Sequence, residues 1–335
     1  MPKITVLMPV YNGAKYLPEA IKSILNQTSA DFEFIIINDD STDDSVKIIQ
    51  SFQDKRIKLV HNEKNLGLIA SLNKGINLAT GEYIIRMDCD DISLPDRLAT
   101  QVKFMDNHRE FGVCGSWVKT ISKDSDYKNK FFTKPEEIKI SLLFNTSLAH
   151  PSVIMRREML LKYNLQYDKN YPHAEDYELW SRASRYFPLA NIPKVLLLHR
   201  LHANTVSNQF SDIQSQNSIK IRTAQLKNIG IDPTNEEIKI HCTTRSQNNE
   251  NVKEFIDMAD GWLNKIKKAD ETAKFYIEPE FSYVLYSRWL TICQANTTLG
   301  FWLFKRFWQS NLIKNIKNKN WGNILKFFIK CLIKK

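Results

Sequence analysis

The run Ile4-Thr5-Val6-Leu7-Met8, followed by Pro9-Val10-Tyr11-Asn12-Gly13 and then by residues 15–26, decides the fold. The first five residues form a short, mainly apolar segment with the length and composition of a buried strand. The next five have turn chemistry. From Lys15 to Asn26, Leu17, Ala20, Ile21, Ile24 and Leu25 fall on one helical face, with Pro18 in the first turn. The strand–turn–helix unit then repeats. Phe32–Ile37 reads as a strand, and Ser41-Thr42-Asp43-Asp44 starts a helix that runs to about Phe52. Ile57–Val60 is the next strand, and Leu68–Ala79 a helix closed by Thr80-Gly81. Tyr83–Met87 is a fourth strand, and Pro95 opens a helix to about Asn107. Repeated βαβα predicts an α/β fold, a Rossmann-like, mostly parallel sheet flanked by helices.

In such sheets ligands bind at the carboxyl ends of the strands. Three polar clusters sit in that position: Tyr11-Asn12, Asn38-Asp39-Asp40 and Asp88-Cys89-Asp90-Asp91. Asp88 and Asp90 are two residues apart at a strand end, so their carboxylates share a side. They repel unless a cation or a donor lies between them. Hard oxygen ligands of this kind suit Mg²⁺ or Mn²⁺ held jointly with a diphosphate, although a lone pair of this kind also serves as a solvated cap for the helix near Pro95. Asp39 can accept the imide N–H of a uracil or thymine ring; a capping role before Asp43 is the alternative. Further on, in Glu175-Asp176-Tyr177-Glu178-Leu179-Trp180, Leu179, Trp180 and Ala183 make an apolar helical face and Asp176 falls in the first turn. The helix dipole there favours its ionised form, as a general base requires; a structural first-turn acid looks the same. Among the histidines, His150, His199 and His202 stand beside polar runs. Leu198–His202 alternates like a strand end, with Arg200 and His202 on one side, offering a cation and a metal ligand to a diphosphate. Cys89 has no base arranged for it and reads as a small spacer.

The chain has 335 residues, enough for one large domain and an appendage. We expect an α/β catalytic domain over 1–210 and a mainly helical region over 211–335. Residues 203–218 read as a linker or a polar helix start. The formal net charge is +10, but residues 301–335 hold nine Lys and Arg and no Asp or Glu, so the rest is nearly neutral. That distribution argues against a nucleic-acid-binding domain. The five cysteines include no CxxC pair, which argues against a zinc site or a disulfide scaffold and for a reducing compartment. No leader-like segment and no apolar run of membrane-spanning length appears, so a cytoplasmic location is expected.

Taken together, these segments resemble glycosyltransferase family 2, whose catalytic domain has the GT-A fold. The matching stretches are Pro9-Val10-Tyr11-Asn12, Ile37-Asn38-Asp39-Asp40-Ser41-Thr42-Asp43 and Asn65-Leu66-Gly67. They continue with Leu72-Asn73-Lys74-Gly75, Ala79-Thr80-Gly81-Glu82-Tyr83, Arg86-Met87-Asp88-Cys89-Asp90-Asp91 and Pro95-Asp96-Arg97-Leu98. His150-Pro151-Ser152, Glu175–Trp180 and the run from Arg200 to Ser207 complete the set. The resemblance implies an inverting hexosyl- or N-acetylhexosaminyl-transferase, with a nucleotide-sugar donor and a saccharide or glycolipid acceptor, as in relatives that build bacterial surface polysaccharide. Pro9, Tyr11 and Asp39 would line the nucleoside pocket, with Asn12 and Asn65 also contacting the nucleotide. Asp88 would contact the nucleotide too. Asp90 would be the main carboxylate on Mn²⁺ or Mg²⁺, with His202 a third contact, and Asp176 would deprotonate the acceptor. His150, Glu175 and Arg200 would assist on the acceptor side and at the diphosphate. Two positions depart from the family pattern: Asn38 stands where many members have Asp, and Asp40 where many have Gly. No QxxRW motif follows Glu175-Asp176, which favours a single addition over processive synthesis.

Two tail segments have helical apolar spacing: Phe301, Phe304, Trp308 and Leu312, then Trp321, Leu325, Phe328 and Leu332. With lysines over much of the rest, they suit a helix lying on an anionic membrane, or an apolar face packed on the catalytic domain. A sugar nucleotidyltransferase is the main rival enzyme, but Tyr11-Asn12-Gly13 supplies no glycine-rich phosphate loop with a basic residue. A nucleotide-binding protein without catalysis is the other rival, against which the joint presence of Asp39, Asp90 and Asp176 argues.

Overall fold

The computed structural model describes residues 2–122, 126–202, 210–246, 251–314, 316, 319 and 321–333. The strands are β1 (Ile4–Val10), β2 (Phe32–Asn38), β3 (Ile57–His61), β4 (Tyr83–Arg86), β5 (Ile92–Ser93), β6 (Val113–Ile121), β7 (Tyr127–Asn129), β8 (Ile154–Arg156) and β9 (Leu189–Arg200). The helices between them are α1 (Leu17–Leu25), α2 (Ser45–Ser51), α3 (Leu68–Leu78), α4 (Arg97–Asn107), α5 (Pro135–Ser141), α6 (Arg157–Lys162) and α7 (Glu175–Ala183). Beyond β9 the described chain is helical: α8 (Ser211–Lys227), α9 (Asn235–Cys242), α10 (Val252–Ala273), α11 (Glu280–Ala295), α12 (Phe301–Gln309) and α13 (Trp321–Ile333). The chain forms two compact units, one of residues 2–139 with 146–218 and the other of 140–145 with 219–335. The part of the expected linker at 203–209 lies outside the described residues.

The first unit is an α/β sheet in the order β3-β2-β1-β4-β8-β6-β9-β5, with β7 beside β6. Strands β1 to β4 are mutually parallel, as the βαβα reading predicts. The strands after β5 mix senses: β8 is antiparallel to β4 and β6, and β9 is parallel to β6. Between Asn107 and Leu198 the sequence itself signals no strand. Every residue of β1 and β2 is buried. Helix α1 buries Leu17, Ala20, Ile21 and Ile24 against the same core, with Pro18 in its first turn. Helix α3 lies so close to β1 that a Cβ on Gly75 would come 2.1 Å from Leu7 Cδ1. The chain then passes β1 at Gly81, where a Cβ would lie 2.5 Å from the Thr5 backbone nitrogen.

The second unit is helical, as expected after the linker. Its core includes Ile256, Trp262, Leu263, Ile266, Leu285 and Trp289. Helix α9 starts with a reciprocal capping box between Thr234 and Glu237. Buried His241 accepts the Trp262 indole N–H at Nδ1 (3.1 Å), so its Nε2–H donates to the Leu143 carbonyl (2.8 Å). Burial holds this imidazole down at about 3, neutral at any physiological pH.

Candidate active site

Parallel pairing aligns the carboxyl ends of the first four strands. Val10 of β1 pairs with Asn38 of β2, Asn38 with His61 of β3, and Leu7 with Arg86 of β4. The three polar clusters therefore lie along one sheet edge. Strand β8 runs the other way, which brings His150 and Pro151, just before it, to that same edge. Arg97, fully buried, clamps this junction by donating from Nη2 to the carbonyls of Arg86 (2.7 Å) and Pro151 (2.8 Å).

Asp39 is buried and its carboxylate is well supplied with donors. Oδ1 accepts from Asn62 Nδ2 (2.7 Å) and the Leu66 N–H (2.9 Å), and Oδ2 from the Gly67 N–H (2.8 Å). A carboxylate offers about four acceptor positions, so one remains on Oδ2. The neighbouring Asp40 has φ +61°, the left-handed region in which glycine is at ease. Asn12, at φ +50°, is a tie between loops: its N–H donates to Ser41 Oγ (3.1 Å), and its Oδ1 accepts the Thr42 N–H (2.8 Å). Gly13 and Ala14 donate to Ser45 Oγ (3.0 Å) and Asp43 Oδ2 (3.0 Å). Tyr11 and Asn65 are exposed beside this rim, and Pro9 is buried in β1.

At the end of β4, one oxygen from each of Asp88, Asp90 and Asp91 lies within 4.8 Å of the others. Arg86, buried behind them, donates from Nη1 to Asp88 Oδ2. His202 Nε2 lies 2.9 Å from Asp90 Oδ2, so these two of the expected metal contacts are neighbours. Asp91 is buried; its Oδ1 accepts the Arg200 N–H (2.9 Å), while Oδ2 has no donor among the described residues. Burial, and then the charges of Asp88 and Asp90, push the Asp91 carboxyl well above the usual range. Asp88 is pushed up by burial and by Asp90, against the pull of Arg86. Arg200 is a brace for the cluster. Its Nε–H donates to the Asp90 carbonyl (2.9 Å), its Nη2 to Glu19 (2.6 Å), and its guanidinium lies 4.6 Å over the Tyr16 ring. His202 also packs near Tyr16, the ring centroids 5.1 Å apart. Three crowded carboxylates, one with an orphaned buried oxygen, and an imidazole form a hard donor set that fits a divalent cation.

Across from this cluster, α7 begins with Glu175 and Asp176. The chain turns into it through His173 at φ +65°. Asp176 Oδ1 accepts the Tyr177 N–H (2.7 Å). Burial raises Asp176 to about 6, and burial with the neighbouring Asp176 charge raises Glu175 to about 7. The helix-start field was expected to favour ionised Asp176; desolvation outweighs it. Arg86 and Asp88 are near enough for their charges to act on Asp176, which places the α7 acid in the neighbourhood of the β4 acids. His150 completes that side: its Nε2 is 2.8 Å from Tyr167 Oη, and its ring meets Trp180 edge-on. The Tyr167 main chain is itself fixed by the Asn73 side-chain amide, whose Nδ2 donates to the Tyr167 carbonyl and whose Oδ1 accepts the Tyr167 N–H, both at 2.9 Å. His199 is held down by burial, with Asp88 and Asp90 pulling the other way.

Sequence reasoning gave no role to Arg86, Tyr16, Glu19 or Tyr167. Arg86 had a signal, since an arginine two residues before Asp88 on a buried strand must share its side. The others are joined to the site only by the fold.

Residues 5–164 match the model of the family described as Glycosyl transferase family 2. An uncharacterized glycosyltransferase of Haemophilus influenzae is 36% identical over 247 residues, 69% of this chain and 76% of the relative. One from Methanocaldococcus jannaschii is 41% identical over 190 residues, 54% of this chain and 64% of the relative. Among solved structures, Staphylococcus aureus TarS 1–349 in complex with UDP-GlcNAc superposes with a TM-score of 0.58 at 16% identity, over 99% of this chain and 90% of that one. A mannosyltransferase from Pyrobaculum calidifontis in complex with GDP-Man and Mn²⁺ gives 0.53 at 15% identity, over 99% and 86%. The fold is thus that of GT-A glycosyltransferases. With more than a third of its residues shared over three quarters of the Haemophilus protein, and with the family match spanning the strands that carry Asp39, Asp88 and Asp90, the chain belongs to glycosyltransferase family 2 and is a glycosyltransferase.

Proposed function

We propose that the enzyme transfers a hexosyl or N-acetylhexosaminyl group from a UDP-sugar to a saccharide or lipid-linked saccharide, with inversion, in the assembly of a bacterial surface polysaccharide. The work would be done on the cytoplasmic side of the membrane. The observation that carries the reading is the crowding of Asp88, Asp90 and Asp91 at the end of β4, with one oxygen of each within 4.8 Å of the others and His202 Nε2 2.9 Å from Asp90 Oδ2. The proposed base, Asp176, and this carboxylate cluster would flank the reacting centre.

In this reading the acceptor hydroxyl attacks the anomeric carbon while Asp176 takes its proton. The carbon–oxygen bond to the nucleoside diphosphate breaks on the opposite face, and the diphosphate departs with that electron pair. No covalent enzyme intermediate forms, so no nucleophilic Ser or Cys is needed. A carboxylate held at about 6 is ionised at neutral pH yet basic enough to take a proton. Asp90 and His202, with Asp88, would hold Mn²⁺ or Mg²⁺. Once bound, the ion would neutralise charge on the departing diphosphate. Asp39 supports a uracil over a guanine base through its one remaining acceptor position, which fits an imide N–H. Pro9, Tyr11 and Asn65 border the same position. Asn12 acts indirectly, by tying the 12–14 and 41–45 loops. His150 and Glu175 face the acceptor, and Arg200 braces Asp90.

A thermal-shift screen of UDP-, dTDP- and GDP-sugars, with and without Mn²⁺, tests the donor. The expected result is a rise in melting temperature with a UDP-sugar plus Mn²⁺; at a hundred times Kd the stabilisation is about 2.7 kcal/mol. A larger rise with a GDP-sugar would overturn the base assignment. Asp176→Asn should keep the donor-induced shift and lose turnover by a factor of roughly 10² or more; near-normal turnover would remove Asp176 as the base.

A further inference from the structure

Helix α13 is apolar on two faces, and the structure buries only one. Ile324, Phe327 and Cys331 are buried, at the spacing of one helical stripe. Trp321, Leu325, Ile329, Leu332 and Ile333 face solvent, with Trp321 65% and Leu325 59% exposed. At about 100° per residue these five cover roughly a third of the helix circumference. Most of the residues whose spacing marked an amphipathic face in the sequence, Trp321, Leu325 and Leu332, are thus the exposed ones, with Phe328 half-buried. The same holds on α12, where Leu303 and Phe307 are buried while Phe301 and Trp308 are exposed. The two exposed sets meet, with the rings of Trp308 and Trp321 6.2 Å apart. A soluble surface does not normally carry a continuous patch of two tryptophans and several large aliphatic side chains.

Charge identifies what covers it. Lys326 and Lys330 are exposed and follow the apolar arc around α13, and Lys305 and Lys314 are exposed on and after α12. Residues 301–335 contain no acid. Arg306 is already committed to Asp257 and Asp260, so it is not counted. An apolar, tryptophan-bearing face whose own helices carry exposed lysines and no acid matches an anionic lipid surface: side chains enter the headgroup boundary while ammonium groups meet phosphates. A protein partner with an apolar groove would match the first feature but gives no reason for the one-sided charge of these helices.

We propose that the exposed face of α13, extended by Phe301 and Trp308, docks the enzyme in the plane of an anionic bilayer. Lipid binding is read without any sugar being transferred, so this proposal and the proposed reaction fail separately.

The test is co-flotation of the full chain with vesicles of phosphatidylcholine alone, or of phosphatidylcholine with roughly one third phosphatidylglycerol. Binding is expected to the mixed vesicles at low salt, to weaken at high salt, and to be at least about tenfold weaker on phosphatidylcholine alone. The variant Trp321→Ser/Leu325→Ser/Leu332→Ser changes only exposed positions and should lower binding to mixed vesicles by about tenfold or more at an unchanged melting temperature. Lys326→Glu/Lys330→Glu should lower it with a reduced salt dependence. Equal distribution of the wild type between vesicles and buffer would overturn the proposal, as would undiminished binding of the serine variant. So would a concentration-dependent dimer, seen without lipid and abolished by the serine substitutions, since the face would then belong to a second copy.

Discussion

Asp176 shows how one residue's surroundings set its chemistry. As a first-turn acid it reads from sequence like many others; burial is what raises its proton affinity, against the Tyr177 N–H and the Arg86 charge. As the proposed base, Asp176 must be ionised, so kcat/KM should rise with pH through about 6 and lose roughly tenfold per unit below it. A profile flat down to pH 5 would contradict the assignment. The stability effect has the opposite sign. The folded-state pKa lies above the unfolded value, so Asp176 favours the native state when protonated and loses that contribution as pH rises through about 6. Asp176→Asn should therefore melt higher than the wild type at pH 7.5, and the gain should vanish toward pH 4. Glu33 is the converse case. Burial alone would raise it, but donors from Lys58, Thr5 and Thr80 prevail and hold it down at about 2. Its contribution is complete above the unfolded carboxylate range and lost as pH falls toward 2. Urea unfolding of Glu33→Gln should show a loss of about 2–3 kcal/mol at neutral pH that shrinks on acidification.

Among elements, the β1–α3–β4 crossover has the least slack. The chain leaving α3 crosses β1 at Gly81, whose N–H donates to Thr5 Oγ1 (2.9 Å). Because the atoms a Cβ would meet there are backbone, Gly81→Ala should cost about 2 kcal/mol or more. Gly67, at φ +84° with open space around it, should cost about 1 kcal/mol on the same change, from conformation alone. Equal losses in urea titrations would show that packing does not separate the two. These elements were also the legible ones. β1 to β4 announce themselves by apolar runs bounded by turn residues. By contrast, β8 and β7 have three residues each and β5 two, too few for a period to appear. β6 contains Gly115 and Ser116, and a Cβ at Gly115 would meet Asn191 Oδ1 at 2.3 Å, a constraint visible only once β6 and β9 are paired. The candidate site divides similarly. Asp88, Asp90 and Asp39 are marked by position after strands, whereas the Tyr16–Arg200–Glu19 brace joins residues more than 180 positions apart. On α13 the period was legible but not which of two apolar faces the fold would bury.

For the whole molecule, all five cysteines are free and none is bridged, so reductant should leave the melting temperature unchanged. Cys114, Cys293 and Cys331 are buried, while Cys89 and Cys242 are partly accessible. Burial and then the surrounding acids push the Cys89 thiol far up, and only the thiolate reacts. A thiol reagent on the native enzyme should therefore modify Cys242 first, with Cys89 at least about tenfold slower; mass spectrometry of the early product distinguishes the two. Cys89 has a mechanical significance as well. A Cβ at Gly13 would come 2.9 Å from its sulfur, and Gly13 belongs to the loop stitched to 41–45 by Asn12, Ser45 and Asp43. These contacts tie the loops after β1, β2 and β4 to one another. If that edge grips the donor as proposed, a jaw tied beforehand would spend little entropy in closing on it, and adaptation to differently shaped recipients would fall to the residues around His150, Tyr167 and α7.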